Sequence, residues 1–244
     1  MPSSRSRQAE LARLGAVPFA HRGLHGGGLV ENSGGAIAAA VGRGYGIELD
    51  VQLSADGEAM VFHDDDLDRL TVDRGPVAAR TAAELQALRL YVGNEVMPRL
   101  SEALRMIAGR VPLLVEIKSP DRRVARLCRA VADALEGYQG PVGVMSFDPR
   151  VGGWFARHAP AVLRGLVVTE TGRKGLRGPI ARWGAFWWSR ADFLAYDVRD
   201  LPSPFARAAR RGGRPVYTWT VRSEADRARA AANADQIIFE TPPA

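Results

Sequence analysis

The chain has 244 residues, 46% of them hydrophobic and 25% charged, with one cysteine, Cys128. That composition excludes a disordered or fibrous protein, a disulfide scaffold and a cysteine-built zinc site, and no apolar run reaches the roughly 18–20 residues of a membrane-spanning helix. The formal charge of +6 points to an anionic partner, yet Lys118 and Lys174 are the only lysines among 33 basic residues, so the arginine richness also reads as compositional bias and a solvated surface. Residues 1–23 carry charge without a continuous apolar segment, which predicts no secretory signal and a cytoplasmic protein.

In chain order, the first extended run is VPFA (17–20), followed by an Ala-rich helix over 34–43 and a second strand, GIELDVQL (46–53). Only SADGE separates this strand from AMVFH (59–63), too short for a parallel crossover, and its Asp-Gly pair predicts an antiparallel hairpin turning at Ala55–Glu58 with His63 roughly opposite Asp50. Residues 64–98 then read as an excursion rich in charge and turns, with a helix over 81–90 capped by Thr81 and Glu84. Beyond it, strands at 112–118, 142–147, 165–169, 193–198, 215–221 and 236–240 are interleaved with helices at 101–108, 121–135, 149–158, 204–211 and 223–232. About eight βα units in a chain of this length predict one α/β domain over 1–244, a (β/α)8 barrel of TIM type with a small insertion at 64–98; an open doubly wound sheet is the alternative.

Glu48 and Asp50 stand two apart on a strand, so both point to one face while Ile47, Leu49 and Val51 point to the other. Such a pair is costly to bury without a cation, and reads either as the polar face of an edge strand or as hard oxygen ligands for Mg²⁺ or Ca²⁺. Glu116 and Lys118 repeat the spacing in PLLVEIKS, as a buried ion pair or as a third ligand and a charge for a phosphate. His21 and Arg22 end the first strand, where Gly23 permits a tight turn, and His63 ends another apolar run. Two strand-end histidines beside acidic strand faces can serve as general acid and general base.

The ordered set HRG (21–23), EN (31–32), ELDVQLSADG (48–57), VFHDDDLDRLT (61–71), MPRLSEAL (97–104), VEIKS (115–119), MSF (145–147) and TWTV (218–221) resembles the glycerophosphodiester phosphodiesterase family over nearly the whole chain. The resemblance implies a (β/α)8 barrel with a small insertion after the VFHD-type segment. It also implies metal-dependent hydrolysis of glycerophosphodiesters, such as glycerophosphocholine, to glycerol 3-phosphate and an alcohol. By position, Glu48, Asp50 and Glu116 would hold one divalent metal, Mg²⁺ or Ca²⁺, and His21 and His63 would be the acid/base pair. Arg22 and Lys118 would bind the phosphate, Asn32 would support the site, and Phe147 and Trp219 would line the pocket. Ser33 stands where the family often has Thr, and Phe239 and Glu240 replace its usual Thr-Asp or Thr-Asn, which bears on substrate preference. Two rival readings share the scaffold: a phospholipase D-like enzyme forming a cyclic phosphate from a lipid diester, and a non-catalytic basic barrel that binds acidic lipid or nucleic acid. The cluster from Trp183 to Trp188 reads as a helix–barrel contact, or as a site for an apolar substrate moiety or a membrane surface.

Overall fold

The structure, a computed structural model, describes residues 4–91, 94–119, 124–172 and 177–240. Its architecture is a (β/α)8 barrel of TIM type, and two compact units make it up, Ala20–Pro141 and Met1–Phe19 with Val142–Ala244.

The first helix, α1 (Ser4–Leu14), is not announced by the apolar pattern, since among its described side chains only Leu11 and Leu14 are buried. It is fastened instead by Arg7, whose guanidinium donates to the carbonyls of Pro160, Ala161 and Val162 at 2.9–3.0 Å and pairs with Asp192. Strand β1 (Phe19–His21) follows, then α2 (Gly34–Gly42), whose cap is the Ser33 hydroxyl accepting from the Ala36 amide at 3.2 Å. That hydroxyl satisfies one of the orphan amides of the first turn.

Strand β2 (Gly46–Leu53) pairs antiparallel with β3 (Ala59–Val61) and parallel with β4 (Leu113–Ile117). The hairpin closes as expected, with Gly57 at φ 97° and the Ser54 amide donating to the Glu58 carbonyl. Its register differs from the expected one by one residue. Val51 faces Val61, Phe62 donates to the Asp50 carbonyl at 3.0 Å, and the strand stops before His63. The turn sets the offset, since Ser54 rather than Ala55 closes on Glu58. Beyond the last pair, Gln52, on the same face of β2 as Glu48 and Asp50, donates through Nε2 to the His63 carbonyl and to Asp65.

The excursion after His63 holds a 3-10 turn (Val77–Ala79) and α3 (Ala82–Ala87), where Thr81 and Glu84 form the expected reciprocal cap. Leu67, Val77, Leu85 and Met97 of this segment gather with Val30, Met60 and Phe62 into one small core. Helices α4 (Leu100–Ile107) and α5 (Val124–Leu135) flank β4 in sequence; residues 121–123, expected to start α5, lie outside the described residues.

The other unit alternates strictly: β5 (Val142–Ser146), α6 (Pro149–His158), β6 (Leu163–Val168), α7 (Arg177–Ser189), β7 (Phe193–Asp197), α8 (Pro204–Arg211), β8 (Val216–Val221), α9 (Glu224–Asn233) and β9 (Gln236–Phe239). Each of these strands pairs in parallel with its sequence neighbour. Strand order therefore never reverses there, as it would at the switch point of a doubly wound sheet. Among the described residues no helix is long and apolar enough to cross a membrane.

Candidate active site

Strand β2 buries both faces. Ile47, Leu49 and Val51 are fully buried on one side, and Glu48 and Asp50, each 1% exposed, are buried on the other. The edge-strand reading of that pair is thereby excluded. The β2–β4 register sets Asp50 beside Glu116, so Glu48, Asp50 and Glu116 each offer a carboxylate oxygen within 4.8 Å of the others.

Cations close around this cluster. Lys118 Nζ lies 2.8 Å from Asp50 Oδ1 and 2.5 Å from Glu116 Oε1. Arg22 Nε lies 3.2 Å from Asp50 Oδ2, and the Arg22 amide donates to Glu48 Oε2 at 3.0 Å. Asn32 and Asp50 bond reciprocally: Nδ2 donates to Oδ2 at 3.0 Å, and the Asp50 amide donates to Asn32 Oδ1. His21 Nε2 stands 3.9 Å from Glu48 Oε2. The second lysine, Lys174, lies outside the described residues.

The charges are unevenly shared. Burial, then Asp50 and Glu116, push the Glu48 carboxyl well above its usual range, and burial also raises Glu116. Asp50 is equally buried, but Lys118 and Arg22 hold it below the usual range. Among the described residues Glu48 Oε1 has no hydrogen-bond partner. A buried carboxylate oxygen left without a donor is expensive, and a divalent cation bound by hard oxygens would satisfy it. The donor set, three carboxylates and no sulfur, fits Mg²⁺ or Ca²⁺.

The backbone here is bent out of ordinary conformations. Arg22 (φ 57°) and Asn32 (φ 59°) are both left-handed. Asn tolerates this region, whereas for Arg it costs about 1–2 kcal/mol. The Asn32 amide donates to the Arg22 carbonyl at 2.8 Å and helps hold the turn. Gly23 follows at φ 78°, where a Cβ would meet the Ala36 backbone at 2.9 Å.

His63 is brought to the site by a chain of ion pairs rather than by the strand. Its Nδ1 lies 2.6 Å from Asp64 Oδ1. Arg69 binds Asp64 through Nε at 2.5 Å, and binds Glu31 through both Nη atoms at 2.6 and 3.0 Å. Glu31 in turn accepts from Arg22 Nη1 at 2.8 Å. Glu31 and Asp64 are partly desolvated, yet hydrogen bonds from Arg69 leave both below their usual range.

Seven of the expected residues thus share one cluster, namely His21, Arg22, Asn32, Glu48, Asp50, Glu116 and Lys118, and His63 joins through Asp64, Arg69 and Glu31. Those three fall within the segments EN and VFHDDDLDRLT, where the sequence assigns a role only to Asn32 and His63. Phe147 and Trp219 belong to the other compact unit, where their rings meet edge-on at 5.6 Å and Trp219 Nε1 donates to the Ala195 carbonyl. Of the two departures at the chain's last strand, Phe239 is core and Glu240 pairs with Arg222 at 2.5 Å.

The profile of the Glycerophosphoryl diester phosphodiesterase family matches residues 21–242. A glycerophosphodiester phosphodiesterase of Caldanaerobacter subterraneus is 28% identical over 239 residues, 92% of this chain and 93% of that one. Another, from Bacillus altitudinis, is 34% identical over 130 residues, a match covering 50% of this chain and 53% of that one. Among solved structures, a phosphodiesterase of Oleispira antarctica in complex with the product sn-glycerol-3-phosphate superposes with a TM-score of 0.81 at 22% identity, over 92% of each chain. A glycerophosphodiester phosphodiesterase of Thermotoga maritima gives a TM-score of 0.74 at 22% identity, over 92% of this chain and 94% of that one.

Proposed function

The chain belongs to the Glycerophosphoryl diester phosphodiesterase family and is a phosphoric diester hydrolase, and we propose that it cleaves glycerophosphodiesters to glycerol 3-phosphate and an alcohol, using a divalent metal and two histidines. The observation that carries this reading is the trio of buried carboxylates with an unpartnered oxygen on Glu48, set beside His21, Arg22 and Lys118. The product bound to the Oleispira antarctica phosphodiesterase supports the substrate class. With the enzyme class settled, the non-catalytic binding reading falls away.

In this proposal Glu48, Asp50 and Glu116 hold Mg²⁺ or Ca²⁺, which when bound supplies Lewis-acid neutralisation of the phosphoryl oxygens. Arg22 and Lys118 add fixed positive charge for the phosphodiester; their present carboxylate partners keep both side chains ordered before substrate arrives. His21 and His63 move the protons: one takes a proton from the attacking oxygen, either water or the substrate's glycerol hydroxyl with water then opening the cyclic phosphate, and the other gives one to the leaving alkoxide. Asp64 engages Nδ1 of His63, which leaves Nε2 free to face substrate.

The test is release of glycerol 3-phosphate from glycerophosphocholine by purified protein in EDTA, Mg²⁺ or Ca²⁺, with His21→Ala as control. Metal-dependent release lost in the control is the expected result. Absence of release with every metal would overturn the substrate reading.

Arg69 is assigned a positioning role, since among the described residues it alone bridges Asp64 to Glu31 and so links His63 to Arg22. Arg69→Ala should lower kcat by about 10-fold or more with a smaller change in KM. Arg69→Lys should recover little, because an ammonium cannot make both two-pronged contacts. Full recovery by Lys would mean that only the charge matters.

A further inference from the structure

Helix α7 presents an aromatic face to solvent. Ile180, Trp183 and Trp187 recur at helical spacing, and Trp188 adjoins them; they are 75%, 37%, 69% and 59% exposed. Trp183 is rooted by edge-on contacts to Phe186 and Phe205, and Trp187 by one to Phe186; Trp187 and Trp188 line a depression with Gly153, Arg157 and Arg190. Arg157 and Arg190 are exposed and make no salt bridge among the described residues. The sequence over 171–190 contains five basic residues and no acidic one.

We propose that α7 docks the protein on an anionic phospholipid surface. Indole rings favour the headgroup boundary, where the apolar ring is buried and the N–H stays hydrated. Basic side chains at the rim, Arg157 and Arg190, complement lipid phosphates, each worth about fivefold in partitioning near an anionic surface. Size favours lipid over a protein partner. A 13-residue helix is about 20 Å long, and its few exposed side chains fall short of the ~800 Å² per partner of a stable protein interface. Interfacial helices of this kind carry aromatic residues on one side and arginine at the border.

The test is co-sedimentation with phosphatidylcholine vesicles, with and without about 30 mol% phosphatidylglycerol, followed by tryptophan emission. Binding to the anionic vesicles with a blue shift is expected. The double variant Ile180→Ser/Trp187→Ser should lower partitioning about 10-fold or more, and Arg157→Gln/Arg190→Gln about 25-fold on anionic vesicles with little change on neutral ones. Both pairs are solvent-exposed, so circular dichroism should stay unchanged. Failure of the native protein to sediment with either vesicle, or equal sedimentation of the Ile180/Trp187 variant, overturns the proposal. Self-association abolished by that variant, with no vesicle binding, would assign the face to a second copy. Turnover of soluble glycerophosphocholine should be the same in all these variants, so the outcome is independent of the catalytic reading.

Discussion

His63→Ala should cut turnover by about 100-fold or more while metal affinity and melting temperature stay near native values. The side chain is 31% exposed, and its ring is held by the contact of Nδ1 with Asp64 rather than by packing, so truncation leaves no cavity in the core. What is lost is the proton-transfer group alone. Steady-state kinetics with glycerophosphocholine, beside a thermal melt and a metal titration, check all three parts. Near-normal turnover would remove His63 from the mechanism and leave His21 to serve with a solvent proton.

Glu48→Gln should abolish metal-dependent activity, yet leave the metal-free fold as stable as before or more so. A carboxyl whose folded pKa lies above its unfolded value contributes stability that is present below the unfolded value and lost as pH rises through the folded one. Glu48 is such a group, raised first by burial and then by Asp50 and Glu116. Near neutral pH the metal-free protein therefore bears a cost that the uncharged amide removes. The amide oxygen can still accept from the Arg22 amide, as Glu48 Oε2 does now. A gain of about 1 kcal/mol would raise the melting temperature by roughly 2–4 °C in a chain of this size. The same sign predicts that metal uptake by the native protein releases protons and strengthens as pH rises. Calorimetric titration with Mg²⁺ and Ca²⁺ at two pH values, on both proteins, reads each effect. Unchanged metal affinity in the variant would remove Glu48 from the ligand set.

What could be read from the sequence followed the period of side chains along strands. Glu48 and Asp50 share a face because they are two apart, and Glu116 and Lys118 do so for the same reason, so their meeting needed only two neighbouring parallel strands. Loop residues offer no such period. Glu31, Asp64 and Arg69 lie between regular elements, and their directions depend on the left-handed turns at Arg22 and Asn32 and on the bond from Gln52 to His63. The two helices missed share another cause. Helix α1 is fastened by Arg7 to carbonyls some 150 residues away, and α7 buries Phe186 while exposing Ile180, Trp187 and Trp188, so in neither does one apolar stripe mark the core face. The one-residue offset of the hairpin lies in its turn, where Ser54 rather than Ala55 closes on Glu58.

The small core under residues 64–98 has a bearing on how relatives could exchange parts. Because Leu67, Val77, Leu85 and Met97 pack with one another and with Val30, Met60 and Phe62 from outside the segment, the excursion resembles a cassette that recombination could swap or engineers could graft if those three contacts are kept. Arg69 limits that freedom. It sits in the cassette, but one of its two carboxylate partners, Glu31, is outside it. A donor segment without an arginine at that place would leave Glu31 facing Arg22 alone and His63 resting on Asp64 alone. Successful grafts should therefore carry the arginine with them, or replace Glu31 in the same step.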